Sequence, residues 1–221
     1  MGAPDAFVLG VDLDGVCAEH TLAFRSIVAE RLGVAAESLP LERGWDFEEW
    51  GFGPGDFEAH HRAAVVDHRM FRHLEPIEGV ADALWRLSDA GVWIRVITHR
   101  LYVNWGHQAA ATDTVEWLDE ARIPYRDLCF LGAKPQVEAD LYIDDSPGNI
   151  DALRAAGNDV IVFDQPYNRD LAGPRAKNWR DVEELVLRRY TEWSGVHGVQ
   201  PTLPGVAHGD RLFGQRPDPD R

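Results

Sequence analysis

Two aspartates separated by one leucine, Asp12 and Asp14, follow the apolar run Phe7–Val11 and precede Gly15. A second acidic pair, Asp144-Asp145, ends another apolar run, and the loop "FLGAKPQ" supplies Lys134 ten residues before it. Between them, "VITHR" carries Thr98, His99 and Arg100 at the end of a third run. If these ends meet, four carboxylates crowd together, and like charges would raise one another's pKa values and oppose folding. Something cationic must share the site. Oxygen donors with no His or Cys in the motifs indicate Mg2+, which takes a few carboxylates together with water and substrate phosphate.

The elements that would bring these residues together are short. Five apolar runs bounded by turn residues read as buried parallel strands: Phe7–Val11, Trp93–Ile97, Leu128–Leu131, Leu141–Ile143 and Val160–Phe163. Helical patterns separate most of them. "GVADALWRLSDAG" puts Val80, Leu84 and Leu87 on one face and Gly91 at its end; "TDTVEWLDEARIP" does the same with Val115, Leu118 and Ala121 before Pro124. "SPGNIDALRAAG" offers Ser146 as N-cap, Pro147 at the first helical position and Gly157 as terminator. Alternation of this kind predicts an α/β fold, a doubly wound parallel sheet with helices on both faces, in which ligands bind beyond the carboxyl ends of the strands.

One stretch interrupts the alternation. Residues 18–72 contain no convincing strand, only two helical patterns around the aromatic loop "GWDFEEWGFGPGDF". The expected organisation is therefore a core of residues 1–17 and 73–193, an inserted helical module at 18–72, and a tail at 194–221, rich in Gly and Pro, that is extended or partly disordered.

Bulk properties narrow the function. A net charge of −15 argues against binding a nucleic acid polymer, yet leaves a small anionic substrate open. No apolar run reaches the ~18 residues of a membrane span, and "MGAPDAFVLG" lacks a basic, cleavable leader, so a cytoplasmic protein is expected. Cys17 and Cys129 fit no metal spacing and read as free thiols. Homo-oligomerisation is left open.

Asp-x-Asp-Gly after the first strand, Thr after the second, a loop Lys and Asp-Asp after a later strand resemble the four motifs of the haloacid dehalogenase-like (HAD) phosphatases. The segments "VDLDGVCAEH", "LGAKPQVEADLYIDDSPGNI" and "VIVFDQPYN" are similar, more narrowly, to the cytosolic 5′(3′)-deoxyribonucleotidase group. The resemblance covers roughly residues 7–168 and is weakest in the insert. It implies an HAD core with a helical cap, and a Mg2+-dependent phosphomonoesterase acting on a deoxynucleoside 5′-monophosphate. Asp12 would be the nucleophile, Asp14 the acid/base, and Thr98 and Lys134 the groups that hold the phosphoryl oxygens. Mg2+ would lie on Asp12, the Asp14 carbonyl and Asp145, with Asp144 supporting Asp145. Gly15 would let the backbone pass close to phosphate.

Within the insert, Trp45, Trp50 and Phe52, with Phe47 and Phe57, offer a stacking surface for a base or, equally, the module's own core. His99 and Arg100 replace the small residue usual after the motif Thr; they count among the candidate substrate contacts and bear on which substrate is accepted. A phosphatase for a sugar phosphate or another non-nucleotide ester is the alternative, and a non-catalytic module that binds a phosphorylated ligand is a third reading. His60, His61, His68 and His73 lack zinc spacing and read as solvated helix residues. "DQPYN" reads as a fixed loop close enough to touch the site.

Overall fold

The computed structural model describes residues 6–103 and 105–198. Its sheet contains β1 (Val8–Val11), β2 (Trp93–Thr98), β3 (Asp127–Phe130), β4 (Leu141–Asp144), β5 (Val160–Phe163) and β6 (Arg175–Ala176), in the order β3-β2-β1-β4-β5-β6. Every pairing is parallel. The chain runs outward from β1 to β3 and then returns to place β4 on the other side of β1. The carboxyl ends of β1 and β4 therefore flank the crevice where connections diverge, the usual ligand site of such sheets. β6 escapes sequence reading because "GPRAK" has no apolar run.

Helices α1 (His20–Leu32), α2 (Asp56–Val66), α3 (Val80–Ala90), α4 (His107–Glu120), α5 (Pro147–Ala155) and α6 (Trp179–His197) complete the layers. On one face of the sheet, Ile150 and Leu153 of α5 pack against Ile97, Tyr142, Val160 and Val162. The larger core on the other side gathers Leu9 and Val11 of β1 with Leu84 and Leu87 of α3 and Val182 and Val186 of α6. α3 follows its apolar stripe and stops at Gly91, whose left-handed backbone lets its N–H reach the carbonyls of Leu87 and Ser88.

α4 departs from expectation. Val115 is exposed, and the buried face is Ala110, Asp113, Thr114, Trp117 and Leu118. The helix has turned two polar residues inward because each has a partner there. Arg69 binds both carboxylate oxygens of Asp113, with Nε 2.8 Å from Oδ2, and Arg100 donates to Thr114 Oγ1 at 3.3 Å. Apolar periodicity alone cannot foresee a buried carboxylate whose partner comes from another element.

α6 also corrects the expected start of the tail. Residues 194–197 belong to the helix, where Ser194 is buried and donates its hydroxyl to the Tyr190 carbonyl at 2.8 Å. The tail from 199 lies outside the described residues.

Between β1 and α3 the chain leaves the sheet to form α1, α2 and short 3-10 turns. Its two crossings run side by side. Glu19 N–H donates to the Glu75 carbonyl at 2.9 Å, and Ile77 N–H to the Cys17 carbonyl at 2.8 Å. The insert has an aromatic interior: the Phe24 ring lies 5.5–5.8 Å from those of Phe47, Trp50 and Phe57.

Trp179 links this scaffold to the first acidic turn. Its ring is buried against Phe163, and its Nε1 donates to the Val16 carbonyl at 2.9 Å. Trp179→Ala is expected to cost about 3–5 kcal/mol in urea denaturation followed by circular dichroism. Trp179→Phe, which keeps most of the ring and strands the carbonyl, should cost about 1–3 kcal/mol.

Candidate active site

Two strand ends and one turn deliver the acidic motifs and their lysine to a common point. Asp12 follows β1, Asp144 is the last residue of β4, Asp145 follows it, and Lys134 opens the 3-10 turn Lys134–Gln136 after β3. The Lys134 ammonium lies 2.5 Å from both Asp12 Oδ1 and Asp144 Oδ2. All three groups are buried. Asp144 is further fixed by the Ser146 N–H at 2.9 Å and by the Asn149 amide. The serine that starts α5 thus contributes its backbone N–H to Asp144, and its side chain makes no cap bond.

One oxygen each from Asp12, Asp144 and Asp145 can lie within 4.8 Å of the others. Lys134 offsets one of these three buried charges. Among the described residues, Asp12 Oδ2, Asp145 Oδ1 and the Asp14 carbonyl accept no hydrogen bond, whereas both oxygens of Asp144 do. A set of hard oxygen donors with residual negative charge fits a divalent metal cation. The charges agree with that fit. Burial, reinforced by Asp144 and Asp14 and opposed by Lys134, pushes Asp12 up to about 7. Asp145 is also pushed well up, by burial and then by Asp12 and Asp144. Burial would lower Lys134, but its two carboxylate partners raise it.

Asp14 has a different partner. Arg100 Nη2 lies 2.7 Å from its Oδ1, and Arg100 Nε contacts both oxygens at 3.1 Å. The guanidinium is fully buried, resting on the Phe71 and Trp117 rings at 4.5 and 5.1 Å. Burial alone would raise Asp14, but Arg100, with His20 next, outweighs it and holds the carboxyl below the usual range. Arg100, expected as a substrate contact, lines the cavity and gives its guanidinium to Asp14 and Thr114.

Gly15 has φ +83, and a Cβ there would lie 2.1 Å from Asp145 Oδ2. The turn can approach the second acidic pair only as glycine. Thr98 is buried, with Oγ1 accepting the Arg100 N–H at 3.3 Å. His99 lines the cavity beside it, and its buried Nε2 has no hydrogen-bond partner among the described residues.

The cavity above these groups has a volume of about 680 Å³ and is roofed by the insert. Trp45 and Phe52 line it, as do Phe47 and Phe57. Trp50 does not line it: the ring is buried in the insert's interior, with Nε1 donating to the Pro40 carbonyl at 2.8 Å. An aromatic residue in a small module is drawn to the module's own core unless its neighbours fill that space first. His61 is not a solvated helix residue; it lines the cavity and stacks on Phe57 at 5.1 Å.

Sequence reasoning missed His20 and Arg43 and reached Tyr167 only through its loop; all three line the cavity. His20 sits six residues beyond Asp14 at the start of α1, a position that could have flagged it. Tyr167 belongs to "DQPYN", whose place after a strand was its signal. Nothing in the sequence around Arg43 distinguishes it.

Residues 6–191 match the family model described as 5′ nucleotidase, deoxy (Pyrimidine), cytosolic type C protein. A Chlorobaculum tepidum protein provisionally named 5′(3′)-deoxyribonucleotidase is 43% identical over 183 residues, 82% of this chain and 91% of that protein. The 5′(3′)-deoxyribonucleotidase of Bacillus subtilis is 29% identical over 128 residues, 55% of this chain and 68% of its own. A HAD family hydrolase from Deinococcus radiodurans, solved with bound phosphate and sodium, superposes with a TM-score of 0.55 at 16% identity, over 86% of this chain and 98% of its own. At that identity the likeness is one of fold. Among the described residues, no helix is long and apolar enough to cross a membrane.

The cavity's electrostatics predict an acid-sensitive step. Burial, against the pull of Asp14, pushes His20 from 6.5 down to about 4. Between those values the unfolded chain takes up a proton that the folded chain refuses, so this residue subtracts stability as pH falls and adds no pH dependence above 6.5. In urea denaturation, the wild type should lose about 2–3 kcal/mol more than His20→Gln between about pH 7.5 and 4.5.

Proposed function

This chain belongs to the cytosolic type C family of deoxy (pyrimidine) 5′ nucleotidases and is a phosphoric monoester hydrolase; we propose that it dephosphorylates deoxynucleoside 5′-monophosphates, with Asp12 as nucleophile and Mg2+ as its cation. The observation that carries this reading is the convergence of Asp12, Lys134, Asp144 and Asp145 beneath one cavity, with Asp14 held separately by Arg100.

Asp12 attacks phosphorus, forming an acyl-phosphate bond as the bond to the ester oxygen breaks, while Asp14 gives that departing oxygen a proton. Water then bonds to phosphorus, Asp14 takes its proton, and the acyl-phosphate bond breaks to return the Asp12 carboxylate. The Arg100 pair favours the ionised form of Asp14, which suits the second half and makes proton donation in the first half the more demanding step. Thr98 and Lys134 hold the phosphoryl oxygens. Asp12, Asp145 and the Asp14 carbonyl would hold the metal, and Asp144 orients Lys134. When bound, Mg2+ offsets the charge that would repel a phosphate dianion from a carboxylate.

His99, Trp45, Phe52 and Phe57 face the space a leaving group would take. The burial of Trp50 in the insert's interior favours, as a second reading, a smaller non-nucleotide ester that needs less stacking surface.

Asp12→Asn should show no turnover of p-nitrophenyl phosphate or deoxynucleotides above background, and Asp14→Asn should lower kcat about 10²–10⁴-fold. Removal of Mg2+ by EDTA should abolish activity and MgCl2 should restore it. A panel of deoxynucleotides, ribonucleotides and sugar phosphates compared by kcat/KM should favour the deoxynucleotides; a preference for sugar phosphates would establish the second reading instead.

A further inference from the structure

Asp145 is held by a residue that no acidic motif contains. Its Oδ2 accepts a hydrogen bond from the Tyr167 hydroxyl, in the turn Pro166–Asn168 after β5. Its Oδ1 accepts none among the described residues. On the other side, Oδ2 lies against Gly15, only 2.1 Å from where a Cβ would stand. Hydrogen bond and glycine together wedge that oxygen in place.

Tyr167 is itself immobilised. The Arg43 guanidinium covers its ring at 4.5 Å, and the Trp45 ring meets it edge-on at 5.3 Å. Its turn is tied down on both sides. Gln165 Nε2 donates to the Gly15 carbonyl at 2.7 Å, and Asn168 Nδ2 donates to the Asp145 and Phe163 carbonyls at 2.8 Å. Arg175 holds Asn168 in turn, with Nη1 on Oδ1 and Nη2 on the carbonyl, both at 2.8 Å.

An oxygen that already accepts a hydroxyl proton and is wedged against Gly15 is the poorer donor of the two, so Oδ1 is the oxygen the carboxylate offers most freely to a cation. That restriction distinguishes between ions. Ca2+ takes ~6–8 oxygens at about 2.3–2.6 Å and readily uses carboxylates through both oxygens, whereas Mg2+ requires near-octahedral geometry at about 2.0–2.1 Å with several waters retained. We propose that Tyr167 is a positioning residue that keeps Asp145 a one-oxygen ligand and so selects Mg2+ over Ca2+. The inference rests on the reading of Asp12 and Asp145 as metal ligands.

Isothermal titration of the full chain with MgCl2 and with CaCl2 tests it, comparing wild type, Tyr167→Phe and Asp145→Asn. Tyr167→Phe keeps the ring and its packing, so its metal-free circular dichroism should match wild type while the loss of the hydroxyl lowers the melt by only a few degrees. Its Mg2+ affinity should fall about 10–100-fold, while Ca2+ affinity is kept or rises. Wild-type Mg2+ affinity in Tyr167→Phe, or equal losses for both ions, overturns the proposal while leaving the metal site standing if Asp145→Asn has lost binding. Unaltered Mg2+ binding by Asp145→Asn overturns the metal-site reading and this inference with it.

Discussion

The contact of one lysine with two aspartates is the interaction on which the site depends. β1 and β4 are neighbours at the centre of the sheet, and each ends in a carboxylate that the fold makes nearly dry. In such surroundings the repulsion between like charges is several times stronger than in water. Lys134 lies 2.5 Å from each, so the two strand ends can close together around a shared cation that offsets one of their two charges. The lysine comes from the turn after β3, at the sheet's edge, and reaches past β2 to do this. The strand order supplies the cation.

The two aspartates of the first turn are then separated electrostatically although only Leu13 lies between them. Asp12 faces the other carboxylates and is pushed up; Asp14 faces Arg100 and is held down. Adjacent carboxyl groups whose surroundings drive them apart can take different roles in one reaction. Arg100 can serve in this way because Phe71, Trp117 and Thr114 receive its guanidinium in the interior. A buried charge of this kind is tolerated only when its partners are in place.

The insert is part of the site as well as its roof. It contributes Arg43 and Trp45 to the surroundings of Tyr167, which itself holds Asp145. It is fastened to the core away from its two crossings by Arg69 on Asp113 and by Glu42 on Arg169, 2.6 Å apart. The exposed Glu42 pair contributes little by itself. The Arg69 pair, with Asp113 fully buried, is the stronger anchor, and it explains why α4 turns a carboxylate toward the interior.

The placement of the acidic groups and their lysine was legible because it coincides with local pattern. Asp12, Thr98 and Asp144 terminate or follow apolar runs, and Lys134 lies in a turn, so each could be placed at the carboxyl side of a parallel sheet before any coordinate was known. Residues whose role depends on what fills the space beside them were not legible. Val115 looked like a core residue and is exposed, Trp50 could be read as a stacking surface or as the module's core and is interior, and Arg100, which lines the cavity, takes Asp14 as its partner. Tyr167 gave only its position after a strand. The sequence by itself determined the elements and which residues stand at their ends, since hydrophobic periodicity and turn chemistry act over a few neighbouring residues. Only the tertiary structure decided the partners, because a bond such as that from Lys134 to Asp12, across 122 positions of the chain, exists through strand order and packing, and competition for buried space settles it.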